Sequence, residues 1–119
     1  MKAYIAGPMS GYTENNFPAF FKAEEFLVNK FPDGTILNPA RLDMDVPEGE
    51  LKWENCMRRD IKALVDMTDI VLLNGWEASR GACLENHIAT ALGFRRWFLC
   101  LETMELRGLH NHNSYMEEK

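Results

Sequence analysis

The sequence has no surplus of positive charge. Its 13 lysines and arginines are outnumbered by 18 aspartates and glutamates, which leaves a formal net charge of -5. A protein that neutralises a nucleic-acid backbone needs excess cations to displace condensed counterions, so a nucleic-acid polymer is not an expected partner. A single nucleotide needs only a local pocket and stays open. Cysteine is scarce: Cys56, Cys83 and Cys100 lie far apart, with no C-x-x-C among them. That excludes a disulfide framework and fits a reduced, cytoplasmic compartment. No apolar run reaches transmembrane length, and the run in "MKAYIAGPMSG" meets Gly7-Pro8 too soon for a secretion signal, so no membrane partner is expected. Internal repeats and low-complexity stretches are absent. His110 and His112 stand in a polar tail without a partnering cysteine or carboxylate cluster, so neither a metal nor another cofactor is expected.

What is present suits one globular domain of 119 residues, with 46% hydrophobic and 26% charged side chains. "KAYIAG" reads as a first strand, stopped by Gly7-Pro8. Asn16 can cap a helix with Pro18 in its first turn, and Phe17, Phe20, Phe21, Leu27, Val28 and Phe31 recur at helical spacing. "PDGTILNP" holds a turn and a short second strand, and the stretch from Pro39 to about Glu48 reads as a long loop. A helix from about Glu50 to Asp66 carries the stripe Trp53, Met57, Ile61, Leu64 and Val65. "DIVLLNG" has the continuous apolar pattern of a strand covered on both faces. A helix from about Ser79 to Leu92 ends at Gly93, "RWFLCL" is a fourth strand, and from about residue 107 the chain reads as a polar tail. Strands alternating with helices predict an α/β fold: a small doubly wound, Rossmann- or flavodoxin-like parallel sheet of about four strands, with helices on both faces. Ligands in such folds sit beyond the carboxyl ends of the strands, where loops begin at Gly7, Asn38, Gly75 and Leu101.

Two acids fall where apolar residues belong. In "WEASRGACLENHIATALG", Glu85 lies three residues before Ile88 and seven before Leu92, on or beside the stripe of Leu84, Ile88, Ala91 and Leu92. It stands near the front of the helix, and side chains lean toward a helix N-terminus, so its carboxylate should point into the ligand crevice. A plainer alternative is a half-exposed residue paired with Arg80 or His87. Asp60 falls on the line of Trp53, Met57 and Leu64, and its plain alternative is a backbone bond or a pair with Arg59. Asp69 opens a strand at the opposite end of the sheet and reads as structural. Ser79 is a good N-cap. The N–H groups that follow it make an anion site, where Gly81 allows a ligand close to the backbone. Ser79 to Glu85 spans about 9 Å at ~1.5 Å per residue, the scale of a phosphate and its sugar.

"YIAGPMSG", "MRRDIKALVDMTDIVLLNGW" and "SRGACLENHIATALG", in this order, resemble the nucleoside 2-deoxyribosyltransferase superfamily. The likeness is greatest to its small, often phage-encoded members, near the deoxynucleotide N-hydrolases. The resemblance implies a single domain over 1–119 that acts on a small-molecule nucleotide, in host cytoplasm if the protein is phage-encoded. It implies that Glu85 is the nucleophile that attacks the anomeric carbon of deoxyribose, that Asp60 contacts the sugar, and that Tyr4 lies near it. Gly7, Met9 and Ser10 would flank the base, and Ser79 would bind a 5′-phosphate. Ser10 stands where the closest hydrolases have an arginine. The superfamily borrows residues from a neighbouring subunit's C-terminal region, which implies a homodimer or higher homo-oligomer, with Asn113 and Tyr115 as candidate donors. Trp76, with Tyr4, would wall the base site, the plainer alternative for Trp76 being simple packing. The expected activity is cleavage, or base transfer, at the N-glycosidic bond of a 2′-deoxynucleoside 5′-monophosphate through a glutamyl-deoxyribosyl intermediate, without metal. The rival is a non-catalytic module that binds or senses a nucleotide or a nucleotide derivative. A further rival enzyme would cleave a ribonucleotide or dinucleotide.

Overall fold

The computed structural model describes residues 1–44, 46–47, 49 and 52–110. Its elements are β1 (Lys2–Ala6), α1 (Phe17–Lys30), β2 (Thr35–Leu37), α2 (Pro39–Asp43), α3 (Trp53–Leu64), β3 (Asp69–Leu73), α4 (Arg80–Ala91), β4 (Arg95–Cys100) and β5 (Glu105–Leu109). Among the described residues the strands form one sheet in the order β2-β1-β3-β4-β5. The first four are parallel, and β5 runs antiparallel to β4, with Arg96 opposite Leu109 and Cys100 opposite Glu105. This is the doubly wound α/β fold, with one strand more than the sequence pattern predicts.

Alternation along the strands sorts the core into two layers, since successive side chains point to opposite faces. Ala3, Ile5, Val71 and Leu73 face α1, meeting Phe20, Ala23 and Leu27. Tyr4, Ala6, Ile70 and Leu72 face the other way, onto Leu64 of α3 and Ala82 and Ala89 of α4. Every residue of β3 is buried, as a strand covered on both sides requires. Tyr4 therefore projects toward the two helices that carry Asp60 and Glu85. The chain leaves β1 to one side for β2 and returns to the other for β3, so β1 and β3 flank the topological switch point, where a crevice opens.

Several local expectations are corrected. Asn16 precedes α1 but does not cap it: its backbone is left-handed (φ 60), and its Nδ2 donates to the Pro8 carbonyl at 2.8 Å. The side chain ties down the preceding loop instead. Residues 39–43 are helical, not loop, because the Asn38 side chain accepts from the Ala40 N–H at 3.0 Å and Pro39 supplies a preset φ. Val28, Val65 and Leu92 are exposed rather than core. On α4 the buried line is Ala82, Glu85 and Ala89, because small residues let the helix sit close on the sheet. The stretch from Glu105 to Leu109, partly read as tail, is β5: a turn at Met104 (φ 56) folds it back onto β4. Asp69 is wholly buried at the start of β3, accepting from Thr68 Oγ1 (2.6 Å), Trp97 Nε1 (2.9 Å) and Arg95 (3.1 Å). No helix among the described residues is long and apolar enough to cross a membrane.

Candidate active site

A cavity of about 340 Å³ opens at the carboxyl ends of β1 and β3, within the size range of small-molecule sites. Glu85 and Asp60 both reach its wall, from α4 and α3, although each is only 5% exposed. Glu85 accepts a hydrogen bond from the Tyr4 hydroxyl. Tyr4 itself is fully buried in the middle of β1 and is not on the cavity wall. It supports Glu85 from behind. Neither Arg80 nor His87 pairs with Glu85.

The acids are held against ionisation. Burial pushes the Glu85 carboxyl up from 4.5 to about 8. The Tyr4 bond opposes that rise, and the charges of Asp60 and Asp43 add to it. Burial likewise raises Asp60 from 3.8 to about 7, with the negative Asp43 adding and the Arg59 cation opposing. Each carboxyl therefore keeps its proton to higher pH than a free acid does, and the two resist being ionised together. The same burial and the Glu85 charge drive the Tyr4 phenol well above its usual range.

A third acid escaped the sequence reading. Asp43, the last residue of α2, is buried, lines the cavity and accepts from Arg59 Nη2 at 2.7 Å. It takes the arginine expected for Asp60, whose Oδ1 is buried without a protein partner. The signal was the Asn38-Pro39 pair, a cap followed by a first-turn proline, which marks a helix start.

The start of α4 also lines the cavity, through Ser79, Arg80 and Gly81. The Ser79 hydroxyl accepts from the Ala82 N–H at 3.2 Å, and the N–H groups of Arg80 and Gly81 come too early in the helix for intrahelical partners. Gly81 has a packing duty as well: a Cβ there would stand 3.2 Å from Met57 Sδ and 3.6 Å from Trp53 Nε1. The Arg80 guanidinium stacks 3.6 Å from the centroid of the Trp53 ring, a contact worth about 0.5–1 kcal/mol at an exposed site. The loop after β1 completes the wall with Gly7, Met9, Ser10 and Tyr12. It ends in a left-handed turn, with φ of 54, 53 and 60 at Glu14, Asn15 and Asn16. Asparagine tolerates such backbone, so the cost of roughly 1–2 kcal/mol falls chiefly on Glu14.

A family model matches residues 1–96. The chain belongs to that family, a domain of unknown function (DUF4406). No curated protein matches it. A solved structure of a 2-deoxyribosyltransferase from the psychrotolerant bacterium Bacillus psychrosaccharolyticus superposes with a TM-score of 0.65 at 18% identity, covering 84% of this chain and 72% of that one. At that identity the likeness is one of fold.

In this DUF4406 domain the structure gathers most of the residues singled out in the sequence. Glu85, Asp60, Ser79, Gly81, Gly7, Met9 and Ser10 share one cavity wall. Tyr4 stands one layer back. Trp76 does not line the cavity and packs, partly buried, against the cluster of Tyr4, Leu72 and Ala82. Tyr12, Phe17, Phe20 and Trp53 are the aromatic residues on the wall instead. His112, Asn113 and Tyr115 lie outside the described residues. Among the described residues no three His, Cys, Asp or Glu side chains converge as a metal site.

Proposed function

We propose that the chain cleaves the N-glycosidic bond of a 2′-deoxynucleoside 5′-monophosphate through a covalent sugar on Glu85. The observation that carries this reading is a carboxylate buried to 5% exposure, bonded to a buried tyrosine, that still opens onto a nucleotide-sized cavity. A glutamate kept for packing or surface charge has no reason to occupy that place, because burying a charge without an ion partner is costly. The motif order along the chain and the shared fold support the same chemistry.

In this mechanism Glu85 attacks C1′ as the C1′–N bond breaks, through an oxocarbenium-like transition state. The bonding electrons leave with the base, which takes up a proton from water, and the water that later attacks C1′ returns one. Water, or a second base in a transfer, then attacks C1′ and releases the carboxylate. Asp60, which lines the cavity, takes a hydrogen bond from the sugar. The phosphate sits at Ser79 and the first N–H groups of α4. The test is to incubate the protein with each deoxynucleoside monophosphate and its ribo counterpart and assay free base. Release by wild type and not by Glu85→Ala is the expected result.

One observation favours a second reading. A Glu85 held near 8 is mostly protonated at neutral pH, and a neutral acid donates a hydrogen bond to a sugar hydroxyl without attacking carbon. The domain would then bind a nucleotide without turnover. Tight binding by wild type and Glu85→Ala alike, with no base released at any pH up to 9, selects that reading.

A further inference from the structure

We infer that Arg80, held flat on Trp53, is the side chain by which the cavity selects a 5′-phosphorylated ligand over the free nucleoside. The inference rests on the nucleotide reading above and assigns its charge recognition to one residue. The cavity is a poor host for an anion by its acids alone, since Asp43, Asp60 and Glu85 all line it. The Arg59 cation is engaged by Asp43 at 2.7 Å. Arg80 is the cationic side chain among the described residues of the wall, and it stands beside the Ser79 cap. Among the described residues of the wall, a dianionic phosphate at the start of α4 meets a full positive charge at Arg80 alone.

The way Arg80 is held suits that task. Among the described residues its partner is a ring, not a carboxylate. Stacking occupies the flat face of the guanidinium and leaves its N–H groups in the plane, where a phosphate accepts two at once. Gly81 makes the arrangement possible, because the absence of a Cβ lets Trp53 Nε1 and Met57 Sδ close on the first turn of α4. Trp53 is thus a positioning residue, and lysine, a point charge without a flat face, does not replace Arg80.

The test is calorimetric binding of a deoxynucleoside 5′-monophosphate and of the same nucleoside to the full chain. Wild type should prefer the monophosphate, and the preference should weaken with added salt, because Arg80 is exposed. Arg80→Ala should lower the ratio of the two affinities by roughly 10–100-fold, the usual weight of a charge-assisted hydrogen bond. Trp53→Phe should keep the ratio within about threefold, and Trp53→Ala should lower it, a rescue that a purely structural tryptophan would not show. Arg80→Gln repeats the test if the alanine protein folds poorly. Both ligands bound with an unchanged ratio in the Arg80 variants overturns this inference and leaves the nucleotide reading standing. Neither ligand bound by wild type overturns both.

Discussion

Replacing Glu85 by glutamine keeps the shape of the side chain and removes the charge that its surroundings resist. Its carboxyl rises from 4.5 to about 8 on folding, chiefly through burial. At about 1.4 kcal/mol per pH unit, the fully ionised form costs the folded state on the order of 5 kcal/mol. The glutamine carbonyl can still accept from Tyr4, but its NH₂ needs an acceptor in the cavity, which takes back part of the gain. A net stabilisation of roughly 2–4 kcal/mol at pH 9 is expected. The sign follows from the raised value. The folded state holds the proton more tightly than the unfolded chain, so stability is greatest below about 4.5 and falls as pH rises through about 8. The gap between variant and wild type should therefore be small at pH 4.5 and widen to pH 9. Thermal melts should show it as roughly 8–16 °C at pH 9, at about 4 °C per kcal/mol for a domain of this size. A gap independent of pH, or a wild type more stable than the variant at pH 9, refutes the claim that Glu85 is desolvated.

Base release should rise about tenfold per pH unit below about 8 and level off above it, because the attacking group must be ionised. Tyr4→Phe removes the bond that favours the carboxylate, so the same rise should move to higher pH, as a pH–rate profile will show. Asp69→Ala strands the donors of Trp97, Thr68 and Arg95 and should cost about 2–4 kcal/mol in urea unfolding, while the ligand affinity of the folded fraction is unchanged. Gly75→Ala forces a side chain into φ +85, with the Tyr12 hydroxyl 3.0 Å from its Cβ, and should cost about 1–2 kcal/mol by the same measurement.

Much of this architecture was legible in the chain. The apolar runs at Ala3–Ala6 and Asp69–Leu73 and the stop at Gly93 place three elements within a residue or two of where they fall. Glu85 and Asp60 were visible because each breaks an apolar stripe, and a stripe broken by an acid is either a misread face or a site. Leu92 shows the first kind of error: helical spacing puts it on the stripe, but α4 ends at Ala91, and Leu92, its C-cap, is exposed. Asp43 was hidden because α2 is only five residues long, too short to reveal a period, and only its Asn38-Pro39 start marks it as a helix. β5 was hidden because an edge strand with one wet face alternates weakly, and its pairing with β4 is a long-range property that no local pattern displays. Asp60's missing partner depends on Arg59 choosing Asp43, a choice made in three dimensions.

The most direct test is the mass of the intact protein after brief exposure to a deoxynucleoside 5′-monophosphate and an acid quench. The predicted outcome is an adduct with the mass of one deoxyribosyl phosphate, located by peptide mapping on Glu85 and lost in Glu85→Gln. Base released with no adduct on Glu85, or an adduct that survives the substitution, contradicts the account.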